Sequence, residues 1–204
     1  LNTLTKSSVL SEDKLFATLD TTTRSLILPS SQKVLLSDTV GFIQNLPHSL
    51  IEAFDSTLSE ALKSDAIIIV SDVSHPDCVK CYETTVQTLK ELDAMDKVKL
   101  VVINKIDDIY DEIAYSYIKS QGIPTVETSM KTGEGISSLL EAMERITDDV
   151  FTDLTLRLPY SSPILPELSR KEEIKNVLYE EYSMKVFCRI RKSETERYSE
   201  WIER

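Results

Sequence analysis

Glycine is scarce in this chain: its 204 residues contain four, Gly41, Gly122, Gly133 and Gly135. None of them precedes a Lys-Ser or Lys-Thr pair. These residues therefore hold no glycine-rich loop of the kind whose backbone N–H groups and lysine cradle the α- and β-phosphates of a nucleotide. Cysteine is also sparse. Cys78, Cys81 and Cys188 form an odd set of three, which argues against a disulfide scaffold and for a reducing compartment. Positive charge is short, with 23 Lys and Arg against 34 Asp and Glu and a formal net charge of −11. The chain is a poor candidate for broad, sequence-independent binding to phosphate backbones, so DNA is not an expected partner, and any nucleic-acid contact should be local or made elsewhere in the protein. No apolar run approaches the ~18 residues of a membrane span, and the first residues lack a signal-peptide pattern. They also lack an initiator Met, so Leu1 reads as a cut. What remains is ordinary for a soluble globular protein: 41% hydrophobic and 28% charged residues, with no internal repeat or low-complexity tract. The length suits one sizeable core with a small appended domain.

Four short apolar stretches read as buried strands, at residues 33–37, 66–73, 98–103 and 123–127. The second and third are continuous and β-branched, which suits strands covered on both faces of a parallel sheet. Residues 25–28 read as an edge strand that forms a hairpin with the first stretch across a Pro29-Ser30-Ser31-Gln32 turn. Helical spacing of three and four links Leu50, Ala53, Phe54, Leu58, Ala61 and Leu62. It recurs at Val86, Leu89, Leu92 and Met95, and at Leu139, Leu140, Met143 and Ile146. Strand followed by helix, repeated after an opening hairpin, predicts an α/β doubly wound sheet. Ligands of such sheets sit beyond the carboxyl ends of the strands, where Asp38, Ser71-Asp72, Asn104 and Ser129 fall. Beyond about Phe151 the pattern changes to a small β-α-β-β module with a last helix over residues 193–202. The expected domains are thus 1–150 and 151–204.

Three strand-end motifs carry chemistry. In Asp38-Thr39-Val40-Gly41 the carboxylate can hold Mg²⁺ through a water, and the glycine lets a backbone N–H approach a γ-phosphate. Taken alone, this tetrad is equally a strand ending in an Asp turn. Asn104-Lys105-Ile106-Asp107 is sharper. Guanine presents two adjacent donors, N1–H and the 2-amino group, and a carboxylate accepting both discriminates against adenine. Asn104 can tie neighbouring loops together and reach N7, while the Lys105 stem lies along the ring face. The plain alternative is a polar loop with a helix cap near Asp107 or Asp108. In Ser129-Met130-Lys131 a backbone N–H can donate to guanine O6, although a helix-entry loop would look the same in isolation. Order, placement and spacing agree across all three, which points to a guanine-nucleotide site.

The chain resembles the HflX family of translation-factor-class GTPases. The phrases that carry the resemblance are Phe16-Ala17-Thr18-Leu19-Asp20 with Thr22-Thr23-Arg24, Asp38-Thr39-Val40-Gly41-Phe42-Ile43, Leu46-Pro47-His48, Glu52-Ala53-Phe54, Ser56-Thr57-Leu58, Ser74-His75-Pro76-Asp77 and Asn104-Lys105-Ile106-Asp107. Leu158-Pro159-Tyr160-Ser161 and Glu180-Glu181-Tyr182 are similar to that family's small C-terminal domain. The resemblance implies a P-loop NTPase-type sheet lacking its first strand, with a small α+β C-terminal domain. It implies a cytoplasmic GTP-hydrolysing protein that uses Mg²⁺ and associates with the large ribosomal subunit. Phe16 to Asp20 would form the first switch, with Thr18 joining Asp38 at the metal, and Asp38 to Gly41 the second. Phe42 stands where many GTPases carry a water-positioning Gln, and a phenyl ring cannot orient water by hydrogen bonding. Slow intrinsic hydrolysis is expected, completed by another group or partner, and no catalytic residue is assigned.

Departures from the family pattern are the missing phosphate loop, Thr21 in place of a frequent Pro, and Met130 in place of a frequent Ala. Guanine contacts alone hold a triphosphate poorly, so these 204 residues by themselves are expected to show no GTPase activity. Loss of a central strand would also expose two strand edges. The competing reading is a nucleotide-incompetent ribosome- or protein-binding module derived from a GTPase. A phosphoacceptor receiver domain would likewise place Asp38 and Lys105 at strand ends. It lacks a paired acidic residue on a first strand, and it leaves Asn104 and Asp107 unexplained. Cys78-Val79-Lys80-Cys81, with His75 before it, stands at a helix start that can lower a thiol pKa. A zinc site needs four ligands, and only the distant His48 and Cys188 remain. Small residues on a half-buried helix face are the better reading.

Overall fold

The computed structural model describes residues 4, 22–38, 62–108, 111–171 and 173–203. The motifs at Phe16, Ala17, Thr18, Leu19 and Asp20 and at Thr39, Val40, Gly41 and Phe42 lie outside the described residues, as does most of the amphipathic stretch 50–62. The chain divides into two compact units, Leu1–Glu144 and Arg145–Arg204.

The first unit opens with an antiparallel hairpin, β1 (Thr22–Ile27) and β2 (Lys33–Asp38), in the register Thr22↔Asp38 to Ile27↔Lys33. Its turn closes through the Leu28 N–H on Gln32 O (2.8 Å) and the Ser31 N–H on Leu28 O (2.8 Å). Next come three parallel strands, β3 (Ile67–Asp72), β4 (Val98–Asn104) and β5 (Thr125–Thr128), in the order β3-β4-β5. Helix α1 (Cys78–Glu91) crosses from β3 to β4, and α2 (Glu112–Lys119) crosses from β4 to β5. The mixed α/β architecture with a parallel sheet is the one the apolar runs predict. β4 is the central strand, and Leu100, Val101, Val102 and Ile103 are all buried on it. Its continuous apolar run follows from cover on both faces.

Helix α1 buries Cys78, Tyr82 and Leu89 against Ile69, Val101 and Ile103. The helical pattern through Met95 is split: α1 stops at Glu91, and Met95–Lys97 forms one 3-10 turn before β4. Asp93, at φ 53°, makes the reversal. Among the described residues the hairpin and the three-stranded sheet are separate, so β2 and β3 are each paired on one side. Leu35 and Val70, on these two strands, are 68% and 63% exposed.

Helix α3 (Ile136–Val150) follows β5 and buries Leu139, Ala142 and Met143. Gly135, at φ 74°, makes its entry possible. A Cβ there would lie 1.9 Å from the Glu127 carbonyl oxygen, so only glycine lets the helix start meet β5 this closely.

The second unit has β6 (Phe151–Leu158), α4 (Ile164–Arg170), β7 (Ile174–Tyr179) and β8 (Met184–Arg191), with the antiparallel order β6-β8-β7. Strict alternation on β8 buries Met184, Val186, Cys188 and Ile190. They pack with Leu156, Leu158, Leu168 and Tyr198. The last helix expected over residues 193–202 is a 3-10 helix, Lys192–Trp201. Its sequence is mostly polar, and the fully buried Tyr198 anchors it to the core.

Candidate functional site

Parallel pairing sets three strand ends in one row: Asp72 on β3 is in register with Asn104 on β4, and Asn104 with Thr128 on β5. The loops leaving these ends hold the described site residues, and Asp38 ends β2 in the separate hairpin.

Asn104 braces the row. Its side-chain oxygen accepts from the Thr128 hydroxyl (3.2 Å) and from the Met130 N–H (3.2 Å). The Ile106 N–H reaches Thr128 O (3.3 Å), so three bonds join the ends of β4 and β5 and their loops. With that oxygen occupied, the amide NH₂ is the part of the Asn104 side chain that can donate to a ligand. Lys105 takes φ 66°, the left-handed region that costs a residue with a Cβ. Its ammonium lies 2.7 Å from Asp72 Oδ2.

Asp107 is the acceptor of the site. A hydrogen bond from Ser129 holds its carboxyl below the usual carboxylate range, and Lys131 adds to the effect, with Nζ 3.6 Å from Oδ2. The group is ionised at neutral pH, the state needed to accept two donors. Ser129 is itself fully buried. Its N–H donates to Glu134 O (3.0 Å), its carbonyl accepts from the Gly133 N–H (2.8 Å), and its hydroxyl accepts from the Thr132 N–H (3.1 Å). The loop is thus folded onto itself beside Asp107, and Asn104 ties it to the end of β4.

The structure brings Asn104, Lys105, Ile106, Asp107, Ser129, Met130 and Lys131 together on two adjoining loops. Two participants, Thr128 and Asp72, had no role assigned from the sequence and gain theirs from cross-strand register. Ser129, expected to act through the backbone of its loop, also acts through its hydroxyl. Their one sequence signal is position: each is polar and stands at or just past the end of an apolar run.

The cysteine pair has no metal-site geometry. His75 Nδ1 accepts from the Asp77 N–H (3.1 Å), and no cluster of three metal-ligating side chains occurs among the described residues. Burial pushes the Cys78 thiol up to about 11, helped by the Asp72 carboxylate. This is the reverse of an activated helix-start thiol.

A family model described as 50S ribosome-binding GTPase matches residues 1–105. A GTPase HflX from Treponema denticola is 46% identical over 156 residues, covering 75% of this chain and 39% of that protein. One from Lacrimispora saccharolytica is 49% identical over 146 residues, covering 72% and 34%. The chain belongs to this GTPase family, and within it to HflX. A further HflX, from Akkermansia muciniphila, is 42% identical over 168 residues, covering 79% of this chain and 38% of its own length. The chain therefore spans less than two-fifths of each of these three HflX relatives. Among solved structures, a crystal structure of an SsGBP mutation variant superposes with TM-score 0.55 at 26% identity, covering 72% of this chain and 50% of that one. A second variant of the same protein gives TM-score 0.52, also at 26% identity, over 61% and 47%.

Proposed function

We propose that this chain carries the base-recognition part of an HflX-type GTPase that binds GTP and GDP, hydrolyses GTP with Mg²⁺, and works on the large ribosomal subunit. The observation that carries the reading is the ionised Asp107 carboxylate, seated by Ser129 beside an Asn104 whose oxygen is already spent on the neighbouring loop. Asp107 accepts guanine N1–H and the 2-amino group, the Asn104 amide donates to N7, and the backbone of the Ser129-Met130-Lys131 loop serves O6. In this reading residues 1–150 form the GTPase part and 151–204 a small C-terminal domain, and the protein is cytoplasmic.

Asp38 and Thr18 would hold Mg²⁺. Both offer hard oxygen donors, the chemistry this ion takes, and Asp38 ends its strand with an exposed side chain. When bound, the ion neutralises charge on the phosphates. Phe42 leaves the attacking water without a side-chain acceptor, so hydrolysis is slow until a partner completes the site. Phe42→Gln in the encoded protein, assayed with and without ribosomes, tests this: a large ribosome-independent gain supports it, and no change contradicts it.

A polypeptide of these 204 residues alone hydrolyses no GTP, because no Gly-Lys-Ser/Thr loop is present in it. The second reading is a nucleotide-incompetent ribosome- or protein-binding module. Calorimetry of the encoded protein with GTP, GDP and ATP separates the two. Binding of both guanine nucleotides and rejection of ATP supports a GTPase, whereas ribosome binding with no nucleotide binding supports the module.

A further inference from the structure

We propose that Asp72 is a positioning residue of the base pocket: it anchors the Lys105 ammonium, so that the lysine's aliphatic stem, rather than its charge, is the surface offered to the base. The inference rests on the guanine-site reading above.

Both oxygens of the Asp72 carboxylate are committed. Oδ2 meets Lys105 Nζ at 2.7 Å, while Oδ1 accepts from the Ser74 hydroxyl (2.7 Å) and the Ser74 N–H (3.1 Å). The carboxylate is thus fixed from two sides at the end of β3. Burial alone would raise its pKa, but the bonds from Lys105 and Ser74 outweigh that and hold it below the usual range. It is charged at neutral pH.

The backbone around Lys105 is pinned as well. The Val73 N–H donates to Asn104 O (3.2 Å) just before it, and the Ile106 N–H donates to Thr128 O (3.3 Å) just after it. The Asp108 N–H returns to Lys105 O (3.1 Å). A lysine fixed at its backbone on β4 and at its ammonium on β3 has its four-carbon stem stretched between two strand ends. Most of its rotamer freedom is gone before a ligand arrives, and binding has less order to impose. Asp107 recognises the 2-amino group, whereas the stem presents apolar surface to any purine ring.

The two roles therefore separate by ligand. Inosine diphosphate lacks the 2-amino group and keeps the ring. The test measures equilibrium binding of GDP and inosine diphosphate to the encoded protein and to Asp72→Asn, Lys105→Ala, their double variant and Asp107→Asn. Asp72→Asn is expected to weaken both ligands equally, by about fivefold, the scale of a partly exposed ion pair. The ratio between the ligands stays as in the parent. In the Lys105→Ala background Asp72→Asn is expected to cost nothing further. A general loosening of the pocket would instead erode the ratio.

Asp107→Asn is expected to abolish the preference for GDP. If that preference survives in Asp107→Asn, the guanine reading fails and the inference falls with it. If the preference is lost there but Asp72→Asn leaves both affinities unchanged, or costs the same with and without Lys105, the inference alone is overturned. Ser74→Ala keeps the charge and releases the carboxylate on one side. Should Asp72→Asn fail to fold, a parallel weakening of both ligands in Ser74→Ala supports the proposal, and unchanged affinity in Ser74→Ala overturns it.

Discussion

Asp72 ends β3 and Asp107 lies in the loop after the adjoining β4, and both are held below the ordinary carboxylate range, for different reasons. At Asp107 the Ser129 hydrogen bond dominates; at Asp72 the Lys105 and Ser74 bonds overcome burial. A carboxyl whose pKa is depressed by folding contributes stability above its unfolded value of about 3.9, and that contribution is lost as pH falls through the folded value. The parent should therefore lose stability below about pH 4. Asp72→Asn, lacking one such group, should show a shallower loss there, read as thermal midpoint against pH. An equally steep acid limb in the variant would contradict the assignment. The cysteines give a second test at this scale. Cys78 and Cys188 are buried, and burial pushes both thiols up to about 11. Cys81 is partly accessible. At pH 8 the native protein should react quickly with an aromatic disulfide reagent at Cys81 alone, and at all three cysteines once unfolded. Fast native labelling of Cys78 would contradict the packing described.

At the scale of elements, the join between β5 and α3 depends on one residue. Gly135→Ala should destabilise the first unit by more than about 2 kcal/mol, because it adds left-handed strain to a backbone clash. Chemical denaturation measures it. In the second unit Tyr198 is the buried anchor of the 3-10 segment Lys192–Trp201. Tyr198→Ala should cost about 3–5 kcal/mol, as for other large buried aromatics. Strands such as β4 were legible from the sequence because an unbroken β-branched run has few other uses. α2 was not legible: its eight residues mix Ala114 and Ile118 with Tyr115, Ser116 and Tyr117, and no apolar period stands out. It is held by relations beyond its own sequence. Asp111 caps it through the Ile113 N–H (2.8 Å), and Tyr115 and Lys119 both bond Glu127 on β5. The site divides in the same way. Asn104 and Asp107 could be recognised by residue type at a strand end. The work of Asp72, Thr128 and the Ser129 hydroxyl depends on which strand lies beside which, and one-dimensional spacing does not carry that.

Over the whole molecule, the negative charge and the strand-end site set different constraints. A net charge of −11 on these 204 residues disfavours loose attachment to RNA through them, so in the proposed reading their share of ribosome binding would come from defined contacts. Cosedimentation of the encoded protein with large subunits should depend on the nucleotide and respond weakly to salt; a steep fall with rising salt would contradict defined contacts. The central claim is that Asp107 reads a guanine. Xanthine carries a carbonyl where guanine carries its 2-amino group, so an amide at position 107 would complement xanthine as the carboxylate complements guanine. The most direct test is calorimetric titration of the encoded protein and its Asp107→Asn variant with GDP, xanthosine diphosphate and ADP. The parent should bind GDP and reject ADP. The variant should lose about tenfold to a hundredfold for GDP, the scale of hydrogen bonds to a charged group, and gain xanthosine diphosphate. A parent that binds ADP as tightly as GDP, or a variant that keeps its GDP affinity, would contradict the account.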